Sequence, residues 1–405
     1  MNFTIVGNGV AGYTAALTLS RLAPGAQIAV YAAEAHPYYP RPLLPEFLAG
    51  ELDLDRLYLK PVPWYVERNI ALHLGTPVAA IIPQKHQITL ADGTTTSYDR
   101  LLLAAGGHAW VPPIRGADKP GVFTLRTVDD AQAIQIRARS VRRAIVIGCG
   151  LLGLEAARAL RVLGLKVTMV EFLPRLLPRQ LDAEGAAVLQ GLIEDQGLEI
   201  TLNAASEEIL GTDGVTGLRL KDGREIEGGL VLVSTGIRSN VALARQAELE
   251  LNRGVVVDEH LRTSAADIYA AGDVAEFAGG VYGIVPAAIE QARVAAAHMT
   301  GDESVTYGGT VLSTTLKVTG IDLTSVGTIV PEQGREAEYQ ELRRADAARG
   351  LYRKLVLKDG RIVGAILLGD KSRVRPVTQL INGGVDVSAH AERLLDDDFD
   401  LQALL

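Results

Sequence analysis

One cysteine, Cys149, stands in a chain of 405 residues. A single thiol forms neither an internal disulfide nor a thiolate metal cluster, which excludes a disulfide scaffold and a cysteine-rich metal site. Long apolar runs are missing too: no uninterrupted stretch approaches the roughly 20 residues that span a bilayer. Met1 leads into a short apolar strand with no basic leader segment. These absences predict a cytoplasmic protein away from the membrane. Positive charge is not in excess, the formal net charge being −8, which argues against a broad nucleic-acid-binding surface. Aromatic residues are sparse at 5%, whereas glycine is abundant at 42 residues, so backbones are expected to pack closely and loops to turn tightly. The 48% hydrophobic and 22% charged content is that of a globular chain, and the length suggests two to three domains.

The opening FTIVGNGVAGYTAALTLSRL contains Gly7, Gly9 and Gly12 in the spacing G-x-G-x-x-G, directly after the apolar strand Phe3 to Val6. A helix follows, with Ala15, Ala16, Leu19 and Leu22 able to face a sheet, and then a second strand over Ile28 to Ala32. Strand, glycine turn, helix and strand in this order form a dinucleotide-binding unit. The first glycine permits the turn, the second lets the backbone approach a pyrophosphate, and the third lets the helix pack on the strand. The helix N-terminus then offers N–H groups to the phosphates. The pattern returns in AIVIGCGLLGLEAARALRVLGLKVTMVE, with Gly148, Gly150, Gly153 and a strand ending at Glu171. One such match is weak; two complete ones point to two dinucleotides.

An acid ending the second strand accepts a hydrogen bond from a ribose 2′-hydroxyl, whereas a 2′-phosphate calls for a basic residue there. Glu171 is followed by Phe172 and Leu173, so the second site reads as one for NADH. In the first copy Glu34 follows Ala32 and Ala33, and either reaches the ribose or is a solvated loop residue. Cys149 fills the variable position between two glycines. It is read as a small packing residue, the alternative being a thiol activated by the helix N-terminus.

Two further strings, YDRLLLAAGG at 98–107 and DIYAAGDVAEF at 267–277, are apolar strands running into glycine turns, the second expected to lead into a helix. With LVSTGIRSN at 232–240 they resemble the two-dinucleotide flavoproteins of the pyridine nucleotide-disulfide reductase superfamily. HPYYPRPLLPEFLAGE, TLKVTGIDLTSVG and RKLVLKDGRIVGAILLGD narrow the resemblance to NADH:rubredoxin oxidoreductases and the flavin module of nitrite reductase large subunits. The resemblance spans essentially the whole chain. It implies an α/β fold with two Rossmann-like domains of glutathione-reductase type and a C-terminal α+β interface domain. The expected divisions are an FAD domain at 1–110 and 238–304, an NAD domain at 111–237 and the interface domain at 305–405. It implies FAD in the first fold, with Asp273 on the ribityl chain, Arg41 and Arg126 near the flavin nucleotide, and Gly106 and Gly236 close to the cofactors.

Disulfide reductases of this superfamily carry a redox cysteine pair in the segment that here reads YPRPLLPEFLAG, without cysteine. The expected enzyme therefore takes hydride from NADH and passes electrons from the flavin directly to an external acceptor, most naturally a rubredoxin or ferredoxin-type protein. The alternatives are an NADH oxidase, a flavin component serving another acceptor, and a redox-sensing protein with little turnover. In related ferredoxin reductases a lysine pairs with the glutamate matched by Glu155; here Glu46 takes the lysine's place. Either the two carboxylates share a proton near the flavin or Glu46 points to solvent. Arg353, Lys354, Lys358, Arg361, Lys371, Arg373 and Arg375 form a basic cluster that is read either as a docking patch for an acidic carrier or as a solvated surface. The tail LLDDDFDLQALL reads as either ordered or frayed.

Overall fold

The computed structural model describes the backbone of residues 1–311, 313–318 and 321–405, and the side chains of 1–311 and 321–405. Thr319 and Gly320, within the string TLKVTGIDLTSVG, lie outside the described residues. The chain divides into two units, the first formed by residues 1–47, 51–110 and 236–310, the second by 48–50, 111–235 and 311–405.

The first unit is built on a five-stranded parallel sheet in the spatial order Ile268–Ala270, Arg100–Leu103, Asn2–Val6, Gln27–Tyr31, Ile70–His73. Its central strands are apolar on both faces, as a parallel sheet covered on both sides requires: Phe3, Ile5, Leu101, Leu102 and Leu103 are fully buried. The helix Val10–Leu22 presses Ala15, Ala16 and Leu19 into this core. Leu22, expected on the same face, is instead 53% exposed at the last residue of the helix. A separate antiparallel meander, Val78–Ile82, Gln87–Leu90 and Thr95–Ser97, turns at Asp92-Gly93.

The second unit repeats the plan. Its parallel sheet runs Glu199–Thr201, Lys166–Val170, Arg143–Ile147, Leu230–Val233, Val122–Phe123, and its meander, Ser206–Leu210, Gly217–Leu220 and Glu225–Glu227, turns at Asp222-Gly223. It also holds a five-stranded antiparallel sheet ordered Ser313–Val318, Ile321–Gly327, Arg361–Leu368, Leu351–Lys358, Tyr339–Asp346, backed by the helix Val374–Gly383. The protein is thus an α/β molecule with two Rossmann-like folds and a C-terminal α+β portion. Among the described residues no helix is long and apolar enough to cross a membrane.

The C-terminal portion corrects the expected basic patch. Arg353 and Arg373 are only 9% and 7% exposed, and both reach Asp370, at 2.7 and 3.3 Å. The tail engages both further. Arg353 pairs with Asp397 at 2.5 Å, and Arg373 donates to the Leu394 carbonyl at 2.7 Å. Lys354 is buried between Asp182 at 3.3 Å and Glu341 at 2.8 Å, and Lys358 pairs with Glu338 at 3.0 Å. Arg361, Lys371 and Arg375 alone of the seven are exposed. The tail is ordered, with Leu394 and Leu401 in the core of the antiparallel sheet.

Candidate functional sites

Both glycine loops show the same division of labour. Gly7 has φ +109°, and a Cβ there would stand 2.2 Å from the Ala104 carbonyl oxygen; one on Gly12 would stand 1.9 Å from the Gly7 oxygen. In the second loop a Cβ on Gly148 would lie 2.3 Å from the Ser234 oxygen, and one on Gly153 2.1 Å from the Gly148 oxygen. The middle glycines differ: a Cβ on Gly9 or Gly150 would meet nothing within 4 Å. Each middle glycine is the N-cap of its helix, carries no side-chain cap, and has no acid in the turn that follows. An open, uncapped helix start with no acid in its own first turn is a cradle for an anion, and both loops fit a pyrophosphate.

Around the first loop the chain gathers residues from distant positions. Gly272, at φ +84°, would put a Cβ 3.1 Å from that of Ala11, and Gly107 would put one 3.7 Å from that of Asp273. The loop carrying Asp273 therefore lies against the start of the first glycine helix. It is tied there by the Ser239 hydroxyl, which donates to the Asp273 carbonyl at 2.6 Å, and by the Gly272 N–H, which donates to Gln291 at 2.8 Å. Asp273 leads into the short strand Ala275–Phe277, not into the expected helix, which begins only at Val285. The Gly280 N–H and Phe277 N–H exchange bonds with each other's carbonyls and turn the chain first. Gly106, at φ +66°, accepts from the Asn240 N–H at 2.9 Å, and Gly236, at φ +111°, accepts from the Trp110 N–H at 2.9 Å. Asn240 also donates through its side chain to the Ala105 carbonyl at 2.8 Å. Sequence reasoning passed over Asn240 and Gln291; their amides read as ordinary polar residues until the turns they hold are seen.

Glu34 is no solvated loop residue. Its carboxylate accepts from Arg41 at 2.7 Å and from the Tyr39 hydroxyl. Arg41 opens a short helical turn between Pro40 and Pro42, whose restricted backbones present its side chain. Glu46 follows in the helix Leu44–Leu48 and is half-buried.

In the second unit Glu171 is held by the loop it serves. Its two carboxylate oxygens accept from the Cys149 N–H at 2.8 Å and the Leu173 N–H at 2.9 Å. Phe172 beside it is 71% exposed. Cys149 itself is 1% exposed. Burial pushes its thiol far above the usual range, and the Glu171 charge pushes it further. This favours the packing reading over the activated thiol, because desolvation and a neighbouring carboxylate both oppose the helix N-terminus. Glu155, in the helix Leu151–Val162, is half-buried. Arg126 precedes a capping box in which Thr127 and Asp130 satisfy the helix start, and its own N–H donates to Asp130 at 2.8 Å.

A family model described as pyridine nucleotide-disulphide oxidoreductase matches residues 1–298. A second, described as the rubredoxin NAD+ reductase C-terminal domain, matches residues 313–385. The chain is similar to a nitrite reductase [NAD(P)H] of Bacillus subtilis, 39% identical over 385 residues, covering 95% of this chain and 47% of that protein. It thus spans about half the length of that relative. An NADH-rubredoxin oxidoreductase of Clostridium acetobutylicum is 31% identical over 369 residues, covering 91% of each chain. The solved covalent putidaredoxin reductase-putidaredoxin complex is similar in structure, with TM-score 0.88 and 27% identity over 100% of this chain and 97% of that chain.

Proposed function

The chain belongs to the pyridine nucleotide-disulphide oxidoreductase family, and on that premise we propose that it is an NADH-dependent FAD reductase serving a small one-electron iron protein of rubredoxin or ferredoxin type. The observation carrying this reading is the joint presence of two anion cradles and a lone cysteine that is buried. The family's disulfide chemistry needs a reactive cysteine beside the flavin. Here the lone cysteine is a buried member of the second glycine loop, where burial and the Glu171 charge disfavour its thiolate.

FAD, when bound in the first fold, supplies the step between hydride uptake and single-electron release. The chain's residues bind and orient. Gly9 and the N–H groups after it face the pyrophosphate, Glu34 with Arg41 receives the adenosine end, and Asp273 holds the ribityl chain. Gly150 and Glu171 do the equivalent for NADH, the carboxylate accepting from a ribose 2′-hydroxyl and repelling a 2′-phosphate. Glu46 and Glu155 are the acids we assign to proton handling near the flavin. The named relatives support a small iron–sulfur or rubredoxin-type acceptor.

The test is anaerobic turnover. FAD-loaded protein with NADH is expected to reduce a rubredoxin or ferredoxin faster than it consumes oxygen in an aerobic control. Oxygen consumption that outruns reduction of every carrier would identify an oxidase instead. Binding of both nucleotides without turnover on carrier, one-electron dye or oxygen would identify a sensor.

A further inference from the structure

The two glycine loops differ at the residue between their first two glycines. In the second loop this residue is Cys149, whose buried thiol offers no comparable hydrogen-bond acceptor. In the first it is Asn8. The hydroxyl of Tyr65, a fully buried residue 57 positions away, donates to Asn8 Oδ1 at 2.9 Å.

Tyr65 is fixed by its surroundings. Its ring meets Trp64 edge-on at 5.0 Å, Trp64 packs on Tyr13 at 5.1 Å, and Tyr13 stacks on Tyr38 at 4.4 Å with the planes 2° apart. Tyr13 stands one residue beyond Gly12 on the glycine helix. The segment between the strands Gln27–Tyr31 and Ile70–His73 is therefore clamped to the loop at two points, by aromatic stacking on the helix and by a hydrogen bond on the turn. Burial pushes the Tyr65 hydroxyl well above the usual range, so it remains a protonated donor. Asn8 Nδ2, meanwhile, is shielded and has no hydrogen-bond partner among the described residues. A side chain with an unsatisfied buried nitrogen is a poor stabiliser of the empty fold, which directs attention to a role in binding.

We propose that Tyr65 is a positioning residue for the first dinucleotide site: through Asn8 it holds the glycine loop in the form that receives a pyrophosphate, so that this site retains its dinucleotide while the second site exchanges its own. The proposal rests on reading the first fold as the FAD fold. Pre-set geometry raises affinity by reducing what must be ordered on binding, and the effect appears mainly in the release rate.

The experiment follows release of FAD from holoprotein after dilution, by recovery of free-flavin fluorescence. Tyr65→Phe removes only the hydroxyl and is expected to speed release about five- to tenfold, the scale of one hydrogen bond. Asn8→Ala, which also removes the unsatisfied nitrogen, is expected to do the same. The double variant is expected to release FAD more slowly than the product of the two single effects, since the two substitutions share the Tyr65–Asn8 contact. A purely structural role would lower the melting temperatures of apoprotein and holoprotein equally. The strut predicts instead a smaller rise in melting temperature on adding FAD, with the Kd for NAD+ unchanged. Wild-type release rates in both variants, or an unchanged FAD-induced rise, would overturn the proposal. Failure of the wild-type protein to bind FAD at all would overturn the reading beneath it instead.

Discussion

Replacing Lys354 by methionine tests how the second glycine fold is joined to the antiparallel sheet of the same unit. The Lys354 side chain is 2% exposed and lies 2.8 Å from Glu341 and 3.3 Å from Asp182, which are 23% and 15% exposed. Asp182 caps the helix Ala183–Asp195 through the Gly185 N–H at 3.0 Å and also accepts from the Tyr352 hydroxyl at 2.6 Å. Methionine keeps the volume and removes the charge, leaving two carboxylates facing a dry site. Breaking a buried pair from one side costs about 3–5 kcal/mol. The lower end applies, because both carboxylates keep some solvent and Glu341 retains Arg343. About 3 kcal/mol corresponds to roughly 6–12 °C for a unit of this size. Differential scanning calorimetry would resolve this unit's transition. Neutralising the acids as well, in Lys354→Met with Asp182→Asn and Glu341→Gln, is expected to recover most of the loss. Burial alone would raise both carboxyl pKa values. For Asp182 the Tyr352, Gly185 and Lys354 bonds outweigh it, and for Glu341 the Lys354 and Arg343 bonds do, so both are held below the usual range. A depressed folded pKa means stability that is present at neutral pH and drains away as the pH falls through the lowered values. The wild-type transition should therefore lose stability steeply below the ordinary carboxylate range, and the triple variant less so. A Lys354→Met protein within about 1 kcal/mol of wild type, outside the range for a broken buried pair, would refute the reasoning.

Cys149→Ala should leave both half-reactions near wild-type rates and change stability by no more than about 1 kcal/mol, as a mild packing change does. Stopped-flow traces showing normal flavin reduction but no transfer onward would instead make the thiol an electron carrier. Glu171 should give the wild type a higher kcat/KM for NADH than for NADPH, and Glu171→Gln should shrink that preference about tenfold, the scale of a charge-assisted hydrogen bond; a wild-type preference for NADPH would sink the assignment. Asp273→Ala should leave purified protein depleted of flavin, measured by the ratio of flavin to protein absorbance, and full retention would count against its place on the ribityl chain.

What the sequence made legible was local. Each G-x-G-x-x-G unit lies within some thirty residues, and its spacing carries the strand, turn and helix together. The meander turns at Asp92-Gly93 and Asp222-Gly223 were readable for the same reason. What it hid were pairings across long separations. Nothing in a string of basic residues near position 355 tells which are buried, because their acids sit at Asp182, Glu341, Asp370 and Asp397. The strut from Tyr65 to Asn8 was hidden likewise. The chemistry of Cys149 was divided between two readings because a helix start and burial pull a thiol in opposite directions, and only the fold says which is stronger.

The unequal crowding around the glycines bears on how such a chain can drift over evolutionary time. Gly7, Gly12, Gly148 and Gly153 are fixed by neighbouring main-chain oxygens, so any lineage that keeps the fold keeps them. Gly9 and Gly150 have ordinary negative φ angles, −76° and −72°, and free space where a side chain would go. Folding alone would let either become alanine or serine. On the proposed reading that space belongs to a bound nucleotide, and a descendant that abandoned one nucleotide would be expected to lose its middle glycine first, while the outer two survived as a fossil of the site.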